Sequence, residues 1–163
     1  KTGRCAILFP HGILFRKEEQ QIREKLIDID ILECIIGVSE GMFYNSPMEA
    51  CVVICNMNNP AYLKDKIKFI DARNLHVKNG NHNDLGPNDI ETIKNAFLSE
   101  ESIEGFSNIK LCSDLIKNNS NLTVSYNVSP EIESVLLNIN EEYTKWIESK
   151  NSVESVMKKL LHK

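Results

Sequence analysis

The chain has 163 residues, of which 42% are apolar and 26% are charged, so it can bury one core and is too apolar to be disordered. Its net charge of −4 argues against a domain that grips duplex DNA by itself, because such domains neutralise phosphates with an excess of basic side chains. No stretch approaches the roughly 18 consecutive apolar residues of a membrane span. The sequence begins at Lys1 with neither an initiator Met nor a signal peptide, and we expect it to be cut from a longer protein.

The first elements read as strand, helix and strand. The segment Arg4–Pro10 (RCAILFP) is nearly all apolar, which fits a strand buried on both faces. Residues 16–29 have helical spacing, with Ile22, Leu26 and Ile29 inward and charged residues such as Arg23 outward. A second strand follows at 31–38 (ILECIIGV). Strand, helix and strand within about 35 residues predict a right-handed parallel crossover.

Two more strands and a second helix follow. Residues 50–55 (ACVVIC) form a third strand, and because no helix precedes it, it can pair antiparallel or lie at the sheet edge. Residues 67–71 (IKFID) form a fourth strand. The turn-rich segment 79–87 leads into a helix from Pro87 to about residue 98, with Ile90, Ile93 and Phe97 inward.

Residues 129–163 have a different pattern. Ser129-Pro130 is a good helix start, and apolar residues then alternate at spacings of four and three over about four heptads, interrupted at Lys150. A long helix packed on its own domain and a helix that contacts another chain both stay open, and the length of the seam favours the second. The seam consists of Ile132, Leu136, Ile139, Tyr143, Trp146, Val153, Met157 and Leu160.

The cysteines and histidines do not suggest a metal site. The five cysteines include no Cys-x-x-Cys pair, and most lie in apolar runs, where a thiol packs as a small hydrophobic group. His76 and His82 flank a polar turn without further ligands. We predict buried structural cysteines, no metal and a reducing cytoplasm. The apolar runs hold Cys5, Cys34, Cys51 and Cys55.

Several blocks carry a family resemblance. They are GRCAILFPHGILFR at 3–16, IREKL at 22–26, the strand at 31–38, GMFYN at 41–45, FIDAR at 69–73 with the Asn-rich turn after it, and NLTV at 121–124 with Tyr126 and Val128. In this order they resemble the modification subunits of type I restriction–modification systems, and the resemblance covers nearly the whole chain.

The resemblance implies an adenine-specific DNA methyltransferase, which moves a methyl group from S-adenosylmethionine to the exocyclic amine of a flipped adenine. It implies an α/β fold in which residues 1–100 form the second half of a Rossmann-like, doubly wound sheet with an antiparallel strand. Residues 101–128 would connect this half-domain to a helical docking tail at 129–163. The implied partners are a specificity subunit and a restriction subunit, with DNA reached through the complex.

Two motifs of that family are absent from the sequence. The family binds the target amine with an Asn-Pro-Pro-aromatic tetrapeptide and the cofactor with a Gly-rich loop. Here the only Asn-Pro is Asn59-Pro60, followed by Ala61, and no Gly-x-Gly occurs. We therefore expect no catalytic residue in this chain, and neither tight cofactor binding nor methyl transfer by the chain alone.

Two places are candidates for a wall of the target-base pocket. Pro10, His11 and Gly12 follow the first strand, at the edge where open parallel sheets bind ligands, and a plain tight exit is the alternative reading. Phe43 and Tyr44 match a family loop whose aromatic packs on the flipped base, and such stacking is worth about 1–3 kcal/mol per base. The family's Gly-Ile-Pro continuation is replaced by residues 46–49 (SPME), so a core-filling aromatic is an equal reading.

Rival interpretations remain. A non-enzymatic module could dock a specificity subunit through the tail, with Tyr143 and Trp146 as anchors. An unrelated α/β ligand-binding domain would require the ordered matches to be coincidental. A Gly-x-Ser-x-Gly elbow is absent, so hydrolase chemistry has no support. An exposed half-sheet could also pair with a second copy of the chain as a homodimer.

Overall fold

The computed structural model describes residues 3–42, 48–80, 82–129, 143–144, 146–151 and 153. The chain divides into two compact units, Lys1–Pro130 and Glu131–Lys163. The first unit contains strands β1 (Arg4–Pro10), β2 (Leu32–Val38), β3 (Ala50–Asn56), β4 (Lys66–Ala72), β5 (Val77–Asn79), β6 (His82–Asp84) and β7 (Ser107–Leu111). Its helices are α1 (Gln20–Asp28), α2 (Pro87–Leu98), α3 (Cys112–Lys117) and α4 (Val124–Val128), and a 3₁₀ turn spans His11–Leu14.

The main sheet is mixed and mostly antiparallel. Its five strands lie in the order β1-β3-β2-β4-β7. The third strand runs antiparallel to both β1 and β2, β2 and β4 are parallel, and β7 is antiparallel to β4. The antiparallel reading of β3 is confirmed, although β3 is not an edge strand. β1 and β2 run in the same direction, as the predicted crossover requires, but they are not neighbours, because β3 lies between them. The predicted parallel sheet is wrong, since only β2 and β4 pair in parallel in the described sheet.

The first strand is an edge strand. Among the described residues it pairs only with β3, and every residue in it except Phe9 is exposed. Ile7 and Leu8 are 42% and 51% exposed. The prediction that this strand is buried on both faces is therefore wrong for the described unit. The similar apolar run in β2 is buried throughout, because β2 has a strand on each side and helices over both faces.

Helices cover both faces of the sheet. On one face, Leu115 of α3 and Val124 of α4 pack with sheet residues that include Ile35 and Phe69. On the other face, α2 packs through Ala96. Residues 101–128, for which we predicted only a connection, thus supply β7, α3 and α4 to this unit.

Of the three side chains predicted inward on the first helix, only Leu26 packs against the core. Ile22 and Ile29 are 55% and 61% exposed, whereas Arg23 and Ile27 are buried. The apolar spacing identified the helix but not its orientation, because the Arg23 guanidinium has carbonyl partners inside the unit.

The second helix begins at Pro87 and ends at Leu98, as predicted. The carboxylate of Asp89 accepts a hydrogen bond of 2.9 Å from the Gly86 backbone N–H, which satisfies one of the free amides at this end. Ile93 and Phe97 pack against the core as expected. The inward placement of Ile90 is wrong, since this side chain is 54% exposed.

In the second unit, residues 143–144, 146–151 and 153 have helical backbone. The Tyr143 and Trp146 rings stack with centroids 6.0 Å apart, and the Lys150 ammonium lies 5.8 Å from the centre of the Trp146 ring. Both aromatic side chains and Val153 are exposed. Ile132, Leu136, Ile139, Met157 and Leu160 lie outside the described residues, so the helix over 129–163 stays a prediction. No helix in the described part of the chain is long and apolar enough to cross a membrane.

A polar row at the carboxyl edge of the sheet

One edge of the sheet collects the carboxyl ends of three strands. Because β3 is antiparallel to β1 and β2, and β4 is parallel to β2, the strands β1, β2 and β4 all point the same way. Near this edge, Gly37 is in register with both Cys51 and Asp71, and Cys51 is in register with Phe9. Ligands of open α/β sheets bind beyond this kind of edge.

Four residues just beyond the strand ends form what we name the edge row. They are His11 after β1, Ser39 after β2, Arg73 after β4, and Glu49, which precedes β3. Each lies two positions beyond the registered set of Phe9, Cys51, Gly37 and Asp71, just outside the strands. His11 acts electrostatically on Asp71 and Glu49 acts on Arg73, so the four residues lie near one another. The His11 backbone N–H donates to the Glu49 carbonyl over 3.0 Å, which continues the pairing of β1 and β3 into the row.

Asp71 and Arg73 form a close ion pair at one end of the row. The Arg73 guanidinium donates from Nε to Oδ1 and from Nη2 to Oδ2 of Asp71, at 2.8 and 2.7 Å. Burial by itself raises the pKa of Asp71, but the hydrogen bonds and charge of Arg73, together with the charge of His11, outweigh it and lower that pKa. The hydrogen bond to Asp71 likewise raises the pKa of Arg73, so both groups are ionised at neutral pH.

Glycine at position 37 makes room for this pair. A Cβ there would lie 3.3 Å from Val124 Cβ, a tight contact, and 3.4 Å from Arg73 Cγ, at the limit of ordinary van der Waals contact. The stem of Arg73 therefore lies against the backbone of β2 at a residue without a side chain. A larger residue would require a neighbour, Val124 first, to shift by a few tenths of an ångström.

His11 and Ser39 bring unpaired polar atoms to the row. The His11 Nδ1 and the Ser39 Oγ are both buried, and neither has a hydrogen-bond partner within the described chain. Ser39 as a whole is only 3% exposed. The His11 ring also packs near Phe15, with centroids 5.7 Å apart. Buried polar atoms without partners are rare, and such atoms at a ligand-binding edge mark a candidate contact surface.

The other predicted pocket residues lie as follows. Pro10 ends β1 opposite Ala50 and is exposed, and the Gly12 carbonyl accepts hydrogen bonds from the backbone N–H groups of Phe15 and Arg16. The tight turn after β1, which was the alternative interpretation of this segment, is therefore present, and it contains His11. Phe43 and Tyr44 lie outside the described residues. Their part in the pocket stays a prediction.

Sequence reasoning missed both arginines that shape this edge. Buried Arg23 donates to the carbonyls of Ile13 and Arg16 at 3.0 and 2.7 Å, and so holds the segment that follows His11. Arg73 lay in a recognised block but had no predicted role. The available signal was the Asp-x-Arg spacing at a strand end, which places both side chains on one face.

Four of the five cysteines are buried or half-buried, and one is exposed. Cys34 and Cys51 are buried, and burial raises the pKa of Cys51 to about 11, so this thiol is neutral. Cys5 is exposed, which corrects its predicted burial, because β1 lies at the sheet edge. Within the described ranges, no group of three or more His, Cys, Asp or Glu side chains could hold a metal ion.

The first unit is a mixed α/β domain in which an antiparallel strand lies between two strands of equal direction, with a polar row at their carboxyl edge. The model of one family, N-6 DNA Methylase, matches residues 1–135. The chain belongs to the N-6 DNA methylase family.

Two relatives of this chain are methylase subunits of type I restriction enzymes. The chain is 33% identical over 144 residues to the type I restriction enzyme MjaVIII methylase subunit of Methanocaldococcus jannaschii, covering 86% of this chain and 25% of the relative. It is 32% identical over 162 residues to the MjaVII methylase subunit of the same organism, covering 97% of this chain and 28% of the relative.

A solved structure shows the same likeness. The type I restriction–modification methyltransferase subunit of Streptococcus thermophilus has a TM-score of 0.70 and 31% identity, and the match covers 77% of this chain and 26% of that one. The chain thus spans about a quarter of the length of the relatives it matches.

Proposed function

We propose that the chain is part of an adenine-specific DNA methyltransferase of a type I restriction–modification system, in which its edge row lines one wall of the target-adenine pocket. The observation that carries this proposal is the pair of buried, unpartnered polar atoms, His11 Nδ1 and Ser39 Oγ, at the carboxyl edge of the sheet. Membership of the N-6 DNA methylase family supplies the reaction class.

The chemistry of the row suits a flipped base. A methyltransferase acting on an exocyclic amine takes the adenine out of the duplex and reads it by hydrogen bonds to its edge. Adenine offers both a donor amine and ring-nitrogen acceptors. A hydroxyl both donates and accepts, and an imidazole nitrogen does either according to its tautomer. Ser39 and His11 can therefore form hydrogen bonds with the base. These bonds would remove the free-energy cost of burying polar atoms without partners.

The described edge residues lack the loop that would hold S-adenosylmethionine. A nucleoside cofactor sits on a Gly-rich loop, and the sequence has no Gly-x-Gly. Of the two carboxylates in the edge row and its ion pair, Asp71 is bound at both oxygens by Arg73, which leaves only Glu49 for a ribose. We propose that the cofactor, which supplies the methyl group when bound, and the Asn-Pro-Pro-aromatic motif lie on further segments of the protein. The length of the relatives, about four times the matched part, supports this.

The exposed edge of β1 supports the same division. A strand with apolar side chains such as Ile7 and Leu8 exposed, and with one side of its backbone unpaired in the described unit, is prone to pair with another strand. We propose that a strand of the remaining methylase pairs with β1. That strand would bring the catalytic segments next to His11.

Radiolabelled methyl transfer to DNA tests the proposal. The methylase in a form that contains this chain and the catalytic motif is expected to transfer methyl groups, and His11→Ala to lower kcat/KM about tenfold or more, as loss of a polar base contact does. The matched control is His76→Ala, an exposed histidine three positions beyond Arg73 and outside the edge row. Equal rates for the two variants would contradict the pocket assignment.

Calorimetry with the chain alone tests whether the cofactor site lies on other segments of the protein. We expect no tight binding of S-adenosylmethionine by residues 1–163, and tight binding would overturn the placement of the cofactor site. If the natural protein binds a specificity subunit but transfers no methyl group, the non-enzymatic assembly module is the correct reading.

A further inference from the structure

We infer that Arg73, oriented by Asp71, binds a phosphodiester group of the target DNA strand next to the flipped adenosine. The inference rests on the proposed function and deepens it by assigning a DNA-backbone contact to a strand end for which the sequence predicted none. Its basis is the unused part of the guanidinium, the way that group is held, and its place in the edge row.

The guanidinium has a second binding edge. Arginine carries five N–H donors, arranged so that the Nε–Nη2 side and the Nη1–Nη2 side each match two oxygens of an oxyanion. Asp71 takes the first side. Among the described residues no hydrogen bond uses the second side. The Arg73 side chain is 29% exposed, so a ligand can reach it.

The arginine is held before any ligand arrives. The Asp71 side chain is only 13% exposed, and it also accepts from the Arg73 backbone N–H at 3.3 Å. The stem of Arg73 lies against the bare backbone of Gly37, where a Cβ would come within 3.4 Å of it. A side chain fixed in this way loses little rotamer freedom on binding, which is how a positioning carboxylate strengthens a contact.

Charge decides what kind of contact this is. Asp71 neutralises the formal charge of the pair, and the negative charge of Glu49 also reaches Arg73. The site therefore does not attract anions in general, in keeping with the net charge of −4. It offers directed donors for one phosphate that is brought to the edge when the base enters the pocket, and such contacts fix register without reading sequence.

A chemically matched pair lies at the other end of the sheet. Arg4, at the start of β1, donates from Nη2 to Oε1 of Glu33 at 2.9 Å, and its Nε lies 2.9 Å from Oε2 as an ion-pair contact. It is also an arginine paired with a carboxylate, but it lies at the opposite edge of the sheet. Arg4→Gln is therefore the control for loss of one arginine from an ion pair.

The experiment measures binding of the active methylase to its target duplex between 50 and 200 mM salt. For Arg73→Gln we expect roughly tenfold weaker binding, and a plot of log K against log salt that is shallower by about 0.9, the change for one lost phosphate contact. We expect Arg73→Lys to keep the slope but not the full affinity, since a point charge lacks the fork. Asp71→Asn should weaken binding less, and Arg4→Gln should leave the slope unchanged.

A neutral backbone probe locates the phosphate and does not depend on the stability of a variant. Methylphosphonate replaces, one at a time, each phosphate within three nucleotides of the target adenine. One position should weaken the wild type by the same factor as Arg73→Gln and have no further effect on that variant. The inference would be overturned if the methylphosphonate and Arg73→Gln weakened binding independently at every position. A loss of affinity that depends on the neighbouring base would also overturn it, because it indicates a base contact. A wild type that fails to methylate DNA would instead refute the proposed function.

Discussion

The guanidinium of Arg23 on α1 donates a hydrogen bond of 2.7 Å to the backbone carbonyl of Ser120, 97 positions further along the chain. Ser120 and Asn119 both have positive φ angles, of 52° and 55°, in the turn between α3 and α4. The same guanidinium binds the segment that follows His11. One buried side chain thus ties the exit of β1 to the turn that precedes α4.

Replacing Arg23 by Leu is expected to destabilise the chain by roughly 1–3 kcal/mol, the cost of a buried acceptor without a partner. The change leaves the buried Ser120 carbonyl without its donor, while the half-buried carbonyls of Ile13 and Arg16 can turn to water. Urea unfolding gives the free energy, and Lys25→Leu on the exposed side of the same helix is the control. A loss no larger than that of the control would show that water replaces the guanidinium at these carbonyls.

Lys68 has a comparable role on the other face of the sheet. It is 1% exposed, and its ammonium donates to the carbonyls of Ala96 and Phe97 at 3.1 and 3.0 Å and also to that of Ser99, at the end of α2. Helix C-terminal carbonyls have no partners within the helix and carry partial negative charge, so a buried cation stabilises them. The Tyr62 ring lies 5.3 Å from the ammonium as a further cation–π contact.

For Lys68→Met we expect a loss of at least about 2 kcal/mol, because methionine keeps the apolar stem and removes every donor. Hydrogen exchange should quicken first at the last turn of α2, since local opening starts where hydrogen bonds are lost. Lys94→Met, at an exposed position of the same helix, is the matched control. Unchanged exchange at residues 95–99 would refute the capping role.

The sequence located most strands and the second helix because apolar runs and the Pro87 start are local signals. The sequence could not show which strands and helices lie next to one another. The same apolar pattern is buried in β2 and exposed in β1, since burial depends on which strand and helix lie alongside. Arg23 was predicted on the outer face of its helix, because its partner, the Ser120 carbonyl, is 97 positions away.

The candidate site divides in the same way. His11 was predicted from its place after a strand, and the structure brings it beside Glu49 and near the charge of Asp71. Ser39 was missed because its burial depends on the strand order. That order brings the end of β2 between β3 and β4.

Asp71 should make stability depend on acidity. Its pKa in the folded chain lies below the ordinary value of 3.8, mainly because the hydrogen bonds and charge of Arg73 outweigh burial. A lowered carboxyl pKa contributes stability that is present above the unfolded pKa and is lost as the pH falls through the folded pKa. We expect wild type to exceed Asp71→Asn in free energy of unfolding at neutral pH, with the gap closing below about pH 4.

Urea unfolding at pH 7, 5, 4 and 3 measures that gap. Glu33→Gln is the comparison, since Glu33 also binds an arginine but has no contact with Arg73. A gap between wild type and Asp71→Asn that stays constant with pH would mean that the asparagine loses packing and not charge.

The tail offers a partner surface that can be tested apart from the sheet. Tyr143 and Trp146 stack with each other while 61% and 58% exposed, and exposed stacked aromatics are typical anchors of protein interfaces. We propose that a specificity subunit covers them. Truncation after Pro130 should then abolish binding to that subunit, and Trp146→Ala should weaken it roughly thirtyfold, the effect of losing about 2 kcal/mol. Glu148→Ala, an exposed neighbour on the same stretch of helix, should change affinity little. Retained binding by the truncated protein would assign the docking surface to the first unit and leave the heptad pattern to packing within the chain.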